Sequence, residues 1–414
     1  MKNNILKSGL LLAAFSVMFT SCSKTNDEIL PVDPVPIELT PSQVTLIESG
    51  NSFSFDIFRK IAGNESESEN IIISPLSISY ALSMTLNGAS GATREAMLNA
   101  LRVSDLTPEE INTSYKNLTE ALLSVDKRVL ISIANSVWTE NKFQVKKSFI
   151  DILTEYYNAE SKQFDITDPS APDIMNKWIE DNTNGLIKDM IDELDPATVM
   201  TIINAIYYKG KWKSQFDPDV TTTENFYKPG GAPANVPMMN QTAKFKVYEG
   251  TGFVLAEFPY GQGNFVMDII LPDAQNGING LLPSMTDDAF TGWITRLQEK
   301  EVVLSLPRFK YDYKKKLKSI LSDMGMGIAF QDGADFSNIT SNASLVINDV
   351  THQAFIETNE EGTEAAAATV VEIKLTMAPE QFIFKVDHPF VYIIRETTTN
   401  SIIFMGKVAD PLAE

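Results

Sequence analysis

One cysteine and two histidines in 414 residues leave little from which to build a catalytic centre. The cysteine, Cys22, lies at the end of an N-terminal apolar run, so the rest of the chain has no disulfide and no thiol nucleophile. Neither His352 nor His388 stands in a His-Glu-x-x-His helix, and there is no Gly-x-Ser-x-Gly elbow and no phosphate-cradling glycine loop. Asp387-His388 pairs an acid with a base, but adjacent strand residues point to opposite faces, so His388 reads as structural. Positive charge is also scarce: 34 Lys and Arg against 54 Asp and Glu give a net charge of −20. That balance argues against nucleic-acid binding, which depends on neutralising phosphates. It favours solubility and encounters with basic partners, and makes activation by a heparin-like polyanion doubtful. The chain does not read as an enzyme, and no cofactor or metal is expected.

What is present begins with a targeting segment. Lys2 and Lys7 precede an apolar run from Gly9 to Phe19 that is too short to span a bilayer as a helix. Phe19-Thr20-Ser21-Cys22 resembles a lipobox with a relaxed first position. The expectation is a lipoprotein signal peptide over 1–21, a lipidated flexible tether over 22–44 and one large domain over 45–414. Four prolines and several acidic groups make Ser23–Pro41 a semi-extended spacer. Cys22 would then anchor the protein to a membrane in a bacterial cell envelope, facing the periplasm or the outer surface.

No Pro/Gly/Ser linker divides the chain after about residue 44. Apolar residues at helical spacing mark 46–62, 77–86, 93–101, 149–157 and 171–182, with Pro75 a plausible helix start. Strand patterns mark 129–138, 199–208, 243–249, 253–259, 265–271, 302–307, 345–355, 382–386, 390–395 and 402–408. Helices first and mixed strands later make an α+β pattern with one dominant sheet.

The most informative stretch is Asn359–Thr369, and a parity pattern runs from Thr363 within it to Met377. Thr363, Ala365, Ala367, Thr369, Val371, Ile373, Leu375 and Met377 are uncharged, whereas Glu364, Glu372 and Lys374 fall on the other parity. This is the period of a strand with one buried face. Alanine is a poor strand former, so Ala365–Ala368 suggests a segment that is not a strand at all times.

Glu360-Glu361-Gly362-Thr363-Glu364-Ala365-Ala366-Ala367-Ala368-Thr369 closely resembles the reactive-loop hinge of inhibitory serpins. Asn70-Ile71-Ile72-Ile73-Ser74-Pro75-Leu76-Ser77-Ile78 resembles the serpin shutter segment, and Asn204–Trp212 the strand that crosses the main sheet and reaches its breach. Gly333–Ser337, Asp387–Phe390 and Phe404–Val408 are also serpin-like, in family order, so the resemblance covers essentially the whole mature chain. It implies helices packed on a large mixed central sheet, further sheets and an exposed reactive-centre loop.

For function, the resemblance implies a monomeric suicide-substrate inhibitor of serine endopeptidases, with cysteine endopeptidases as further targets. A cleaved loop would insert as a new strand and trap the acyl-enzyme. The alternative is a non-inhibitory binding protein of the same fold. The resemblance places Ser74, Ser77, Asn204 and His352 at the shutter, and Trp212, Arg308 and Glu360 at the breach. Counting seventeen residues from Glu360 puts the reactive bond at Thr376-Met377, with Lys374, Leu375 and Ala378 as neighbours. Counting back from His388 points about two residues later, to a bond hindered by Pro379. Apolar residues there suit elastase-like or subtilisin-like targets first, then papain-like ones; Lys374-Leu375 offers a trypsin-like register.

Overall fold

The computed structural model describes residues 33–273, 277–363 and 381–413. Its helices are α1 (Pro41–Asn64), α2 (Pro75–Leu86), α3 (Gly91–Ala100), α4 (Pro108–Ser124), α5 (Lys147–Tyr157), α6 (Ala171–Asn182), α7 (Gly277–Leu281), α8 (Asp287–Ile294) and α9 (Lys318–Leu321). Its strands are β1 (Ile71–Ile73), β2 (Val129–Glu140), β3 (Glu160–Phe164), β4 (Met200–Lys211), β5 (Thr222–Phe226), β6 (Ala234–Gly250), β7 (Phe253–Tyr260) and β8 (Phe265–Pro272). They continue with β9 (Gln298–Pro307), β10 (Phe309–Lys316), β11 (Thr351–Asn359), β12 (Gly362–Thr363), β13 (Phe382–Lys385), β14 (Phe390–Glu396) and β15 (Ile402–Val408).

Local chemistry sets the helix starts. Thr40 and Gln43 form a capping box ahead of Pro41, Ser74 caps α2 ahead of Pro75, and Thr107 with Glu110 boxes the start of α4. A side-chain oxygen satisfies an orphan N–H, and proline at the first position loses no helical bond. Helix α1 begins ahead of the domain start expected at residue 45. The described part of the expected tether is bonded to the domain: Val35 N–H donates to Asn264 Oδ1 at 2.8 Å, Asn264 Nδ2 returns a bond to Val35 C=O, and Ile37 N–H reaches Thr398 Oγ1.

Two sheets organise the described residues. One runs β1-β15-β14-β8-β7-β6-β9-β13, with β5 added to β6. Every residue of β14 and β15 is buried, so both strands read as near-continuous apolar runs. The other sheet runs β10-β11-β12-β4-β2-β3. Residues 345–350, expected to continue β11 backward, form no strand; Leu345, Ile347 and Val350 pack against the core instead. The main core lies between the sheets and α1, α2, α4 and α5, and a separate apolar cluster seats α6 on β2 and β4 through Met175, Trp178, Trp138 and Ile203.

Candidate functional site: a hinge seated between two strands

Strand β12 is two residues long and sits at the centre of the six-stranded sheet. Gly362 pairs with Asn359 of β11 on one side and Lys211 of β4 on the other; Thr363 pairs likewise with Thr358 and Gly210. Among the described residues this is the only ladder joining β4 to β11. Gly362 holds φ at +145°, and a Cβ there would lie 2.1 Å from the Gly210 carbonyl oxygen, so only glycine passes. Of the hinge expected over Glu360–Thr369, residues 360–363 are described; Glu364, Ala365, Ala366, Ala367, Ala368 and Thr369 lie outside the described residues. So do Lys374, Leu375, Thr376, Met377, Ala378 and Cys22.

The residues assigned to the breach meet at the turn before β12. Trp212 N–H donates to Glu361 C=O at 2.8 Å and its indole Nε1 to Asn359 C=O at 2.9 Å. Arg308 Nε reaches Glu360 Oε1 at 2.7 Å, and Thr221 Oγ1 donates to the same oxygen at 2.5 Å. Burial alone would raise the Glu360 carboxyl, but the bonds from Arg308 and Thr221 hold it below the usual carboxylate range. Glu360 is only 4% exposed, whereas the Arg308 side chain meets solvent, so the pair is buried at one end. Sequence reasoning missed Thr221, since a partner 139 residues away leaves no spacing signal.

The residues assigned to the shutter also come together, at the base of α2. Ser74 N–H donates to His352 Nε2 at 3.0 Å, and Ser74 Oγ to Ile403 C=O at 2.8 Å. Ser77 N–H donates to Ser74 Oγ, and Ser77 Oγ bonds Asn204 Oδ1. Asn204 Nδ2 continues to Asn135 Oδ1 at 2.6 Å, and Asn135 Nδ2 to Tyr157 C=O at 2.7 Å. The chain of bonds thus crosses from α2 through β4 and β2 to α5. Asn135 was missed from sequence. Burial pushes the His352 imidazole down to about 4, which keeps Nε2 free to accept.

His388 is a structural loop-to-strand residue before Pro389, as expected, although not through strand alternation. Residues 386–389 form a bend between strands, so the opposite-face rule does not apply, and His388 Nδ1 lies 2.9 Å from Asp387 Oδ1. Its Nε2 lies 2.7 Å from Pro272 C=O. Both ring nitrogens are therefore engaged structurally. Among the described residues no cluster of acidic, histidine or cysteine side chains is arranged to hold a metal, and no helix is long and apolar enough to cross a membrane.

The family model described as "Serpin (serine protease inhibitor)" matches residues 48–411. The chain belongs to the serpin family. An uncharacterized serpin-like protein of Thermococcus kodakarensis is 33% identical over 402 residues, covering 95% of this chain and 92% of that protein. Iripin-3 of Ixodes ricinus is 33% identical over 406 residues, covering 96% and 99%. Among solved structures, human thyroxine-binding globulin in complex with thyroxine aligns with a TM-score of 0.83 at 27% identity, covering 90% of this chain and all of that one. The α+β serpin architecture expected from sequence is the one observed.

Proposed function

We propose that this serpin is a suicide-substrate inhibitor of serine endopeptidases, with elastase-like and subtilisin-like enzymes as first targets and trypsin-like or papain-like ones as further targets. The observation that carries the reading is the seat of Gly362 and Thr363 between β11 and β4, at the point where a longer strand would enter. Reactive-loop insertion is the family's known mode of strand addition. The protease nucleophile attacks the carbonyl carbon of the reactive bond, taken as Thr376-Met377. The peptide bond breaks, the amine leaves with a proton, and an acyl-enzyme remains. The hinge then extends β12 with its even-smaller face inward: Ala365, Ala367 and Thr369 follow Thr363 by the two-residue period. New ladder bonds and apolar burial drive that step, and inhibition is a race between it and hydrolysis of the acyl bond.

Lipidation of Cys22, with display from a bacterial envelope membrane, belongs to the same proposal and rests on the resemblance of Phe19–Cys22 to a lipobox. A monomer suffices for the mechanism. The likeness to thyroxine-binding globulin favours a second reading, a non-inhibitory binding protein. Incubation of the mature domain with pancreatic elastase, subtilisin, trypsin and papain separates the two. A complex that survives denaturing electrophoresis, with release of a peptide beginning at Met377, is expected. Nicking without a complex would overturn the inhibitory reading and leave the second.

A further inference from the structure

Tyr260 closes β7 and is wholly buried. Its ring stacks on Trp212 at 4.4 Å and 10° between planes, and meets the edge of Tyr208 at 5.4 Å. Gly210 makes room for it: a Cβ there would fall 2.9 Å from Tyr260 Cδ1 and 2.6 Å from the Tyr208 hydroxyl. The Tyr260 hydroxyl lies 2.9 Å from Thr363 Oγ1, its only hydrogen-bond partner among the described residues. Gly210 is also the ladder partner of Thr363. Glycine, tyrosine and tryptophan thus form a socket with one polar atom at its base, and the first threonine of the hinge fills it.

We propose that Tyr260 is a positioning residue that sets the register of the inserting hinge by pairing its hydroxyl with that of Thr363. The inference rests on the inhibitory reading and adds to it the group that decides which residue enters first. Strand register matters here because a slip by one residue turns every side chain to the other face. A slip would bring Glu364 to the socket, and a buried carboxylate without a cation is costly, while Tyr260 would be left unpaired. In register, the hydroxyl pair is satisfied and the small residues turn inward.

The test is a cycle of Tyr260→Phe, Thr363→Val and the double variant, with Thr363→Ser as the conservative control. Three quantities are read: the moles of chain consumed per mole of protease blocked, the association rate, and the melting temperature of the intact chain. Each single variant leaves one buried hydroxyl unpaired, so consumption should rise about fivefold while the association rate stays put. The double variant has lost both partners and should fall back toward the parent; Thr363→Ser should match the parent. Additive effects of the two substitutions, or no effect of either, would overturn the proposal. A merely structural Tyr260 would lower the melting temperature equally whether residue 363 is threonine or valine. If the parent forms no complex with any of the four proteases, the inhibitory reading fails on its own. The cycle is then read from the melting temperature of the nicked chain, where coupling between 260 and 363 sustains the register role and additivity overturns it.

Discussion

The two sheets of this serpin differ in how completely their strands are joined among the described residues. In the nine-stranded sheet, β14 is bonded along its length to both β8 and β15. Its one internal cation, Arg395, is enclosed between Asp268 and Glu257, with both bonds at 2.6 Å. In the six-stranded sheet, by contrast, two residues of β12 join the halves among the described residues, and the strands beside them carry orphaned polar atoms. Among the described residues, the Tyr208 hydroxyl on β4 and Thr358 Oγ1 and Gln353 Oε1 on β11 have no hydrogen-bond partner; in the nine-stranded sheet Asp268 Oδ1 is the comparable case. Buried polar groups are rarely left so. In the six-stranded sheet the bonds from His352 to Asn135 fasten the strands below Gly362 and Thr363.

Four perturbations would break or sharpen this contrast, taken in falling order of expected effect. Arg395→Met leaves the buried Asp268 without its cation, while Glu257 keeps Lys246 at 2.8 Å, and should cost about 3–5 kcal/mol in chemical denaturation. It should leave the partition between inhibition and nicking unchanged in whatever protein folds. Acidification acts next, on the fastening. His352 titrates at about 4 when folded against 6.5 ordinarily, so its contribution is present above pH 6.5 and lost as pH falls through 4. That gap is worth roughly 3 kcal/mol. Burial raises the carboxyls of Asp268 and Asp287, which works the other way, since each favours the folded state when protonated. A stability–pH profile of His352→Asn should therefore show a shallower acid decline than the parent, with the lowered carboxyls of Glu360, Glu65 and Glu224 still contributing theirs; an unchanged decline would remove His352 from the fastening.

Asn204→Ala should cost about 1–3 kcal/mol by stranding the Ser77 and Asn135 side chains, measured by thermal unfolding of the intact chain. Unlike Arg395→Met, it should also hasten spontaneous loss of inhibitory activity on storage. Arg308→Met should have the smallest effect on stability, about 1 kcal/mol, because the Arg308 side chain is 43% exposed and Thr221 still bonds Glu360. Its signature is a raised Glu360 carboxyl, because burial then acts without the opposing bond from Arg308, readable as a shifted pH dependence of inhibition.

Much of this organisation was legible in the chain. The parity of Thr363–Met377 singled out the hinge, and the strand patterns at 390–395 and 402–408 became β14 and β15. Trp212, Arg308, Glu360, Ser74, Ser77, Asn204 and His352 came by family resemblance, and the structure gathers them into two bonded groups. Thr221, Asn135 and Tyr260 did not come at all. Each is tied to its site by a hydrogen bond to a residue 69 or more positions away, and such a bond has no period and no local motif. Helix α4 was overlooked although Thr107-Pro108-Glu109-Glu110 is a capping signature. Residues 345–350 show the converse: apolar alternation there serves packing against the core, with Ile347 N–H bonded to Ala329 C=O in place of a ladder.

The most direct measurement compares thermal unfolding of the intact chain with that of the chain nicked in the reactive loop, for the parent and for Thr363→Arg. Residue 363 is 5% exposed and bonded to Tyr260, so an arginine there buries an unpaired cation at the entry of the sheet. The nicked parent should melt well above the intact parent, whereas nicking Thr363→Arg should bring little gain and that variant should be cleaved as a plain substrate. A nicked parent that melts with the intact protein, or a Thr363→Arg variant that still forms denaturant-resistant complexes, would contradict entry of the hinge at Thr363.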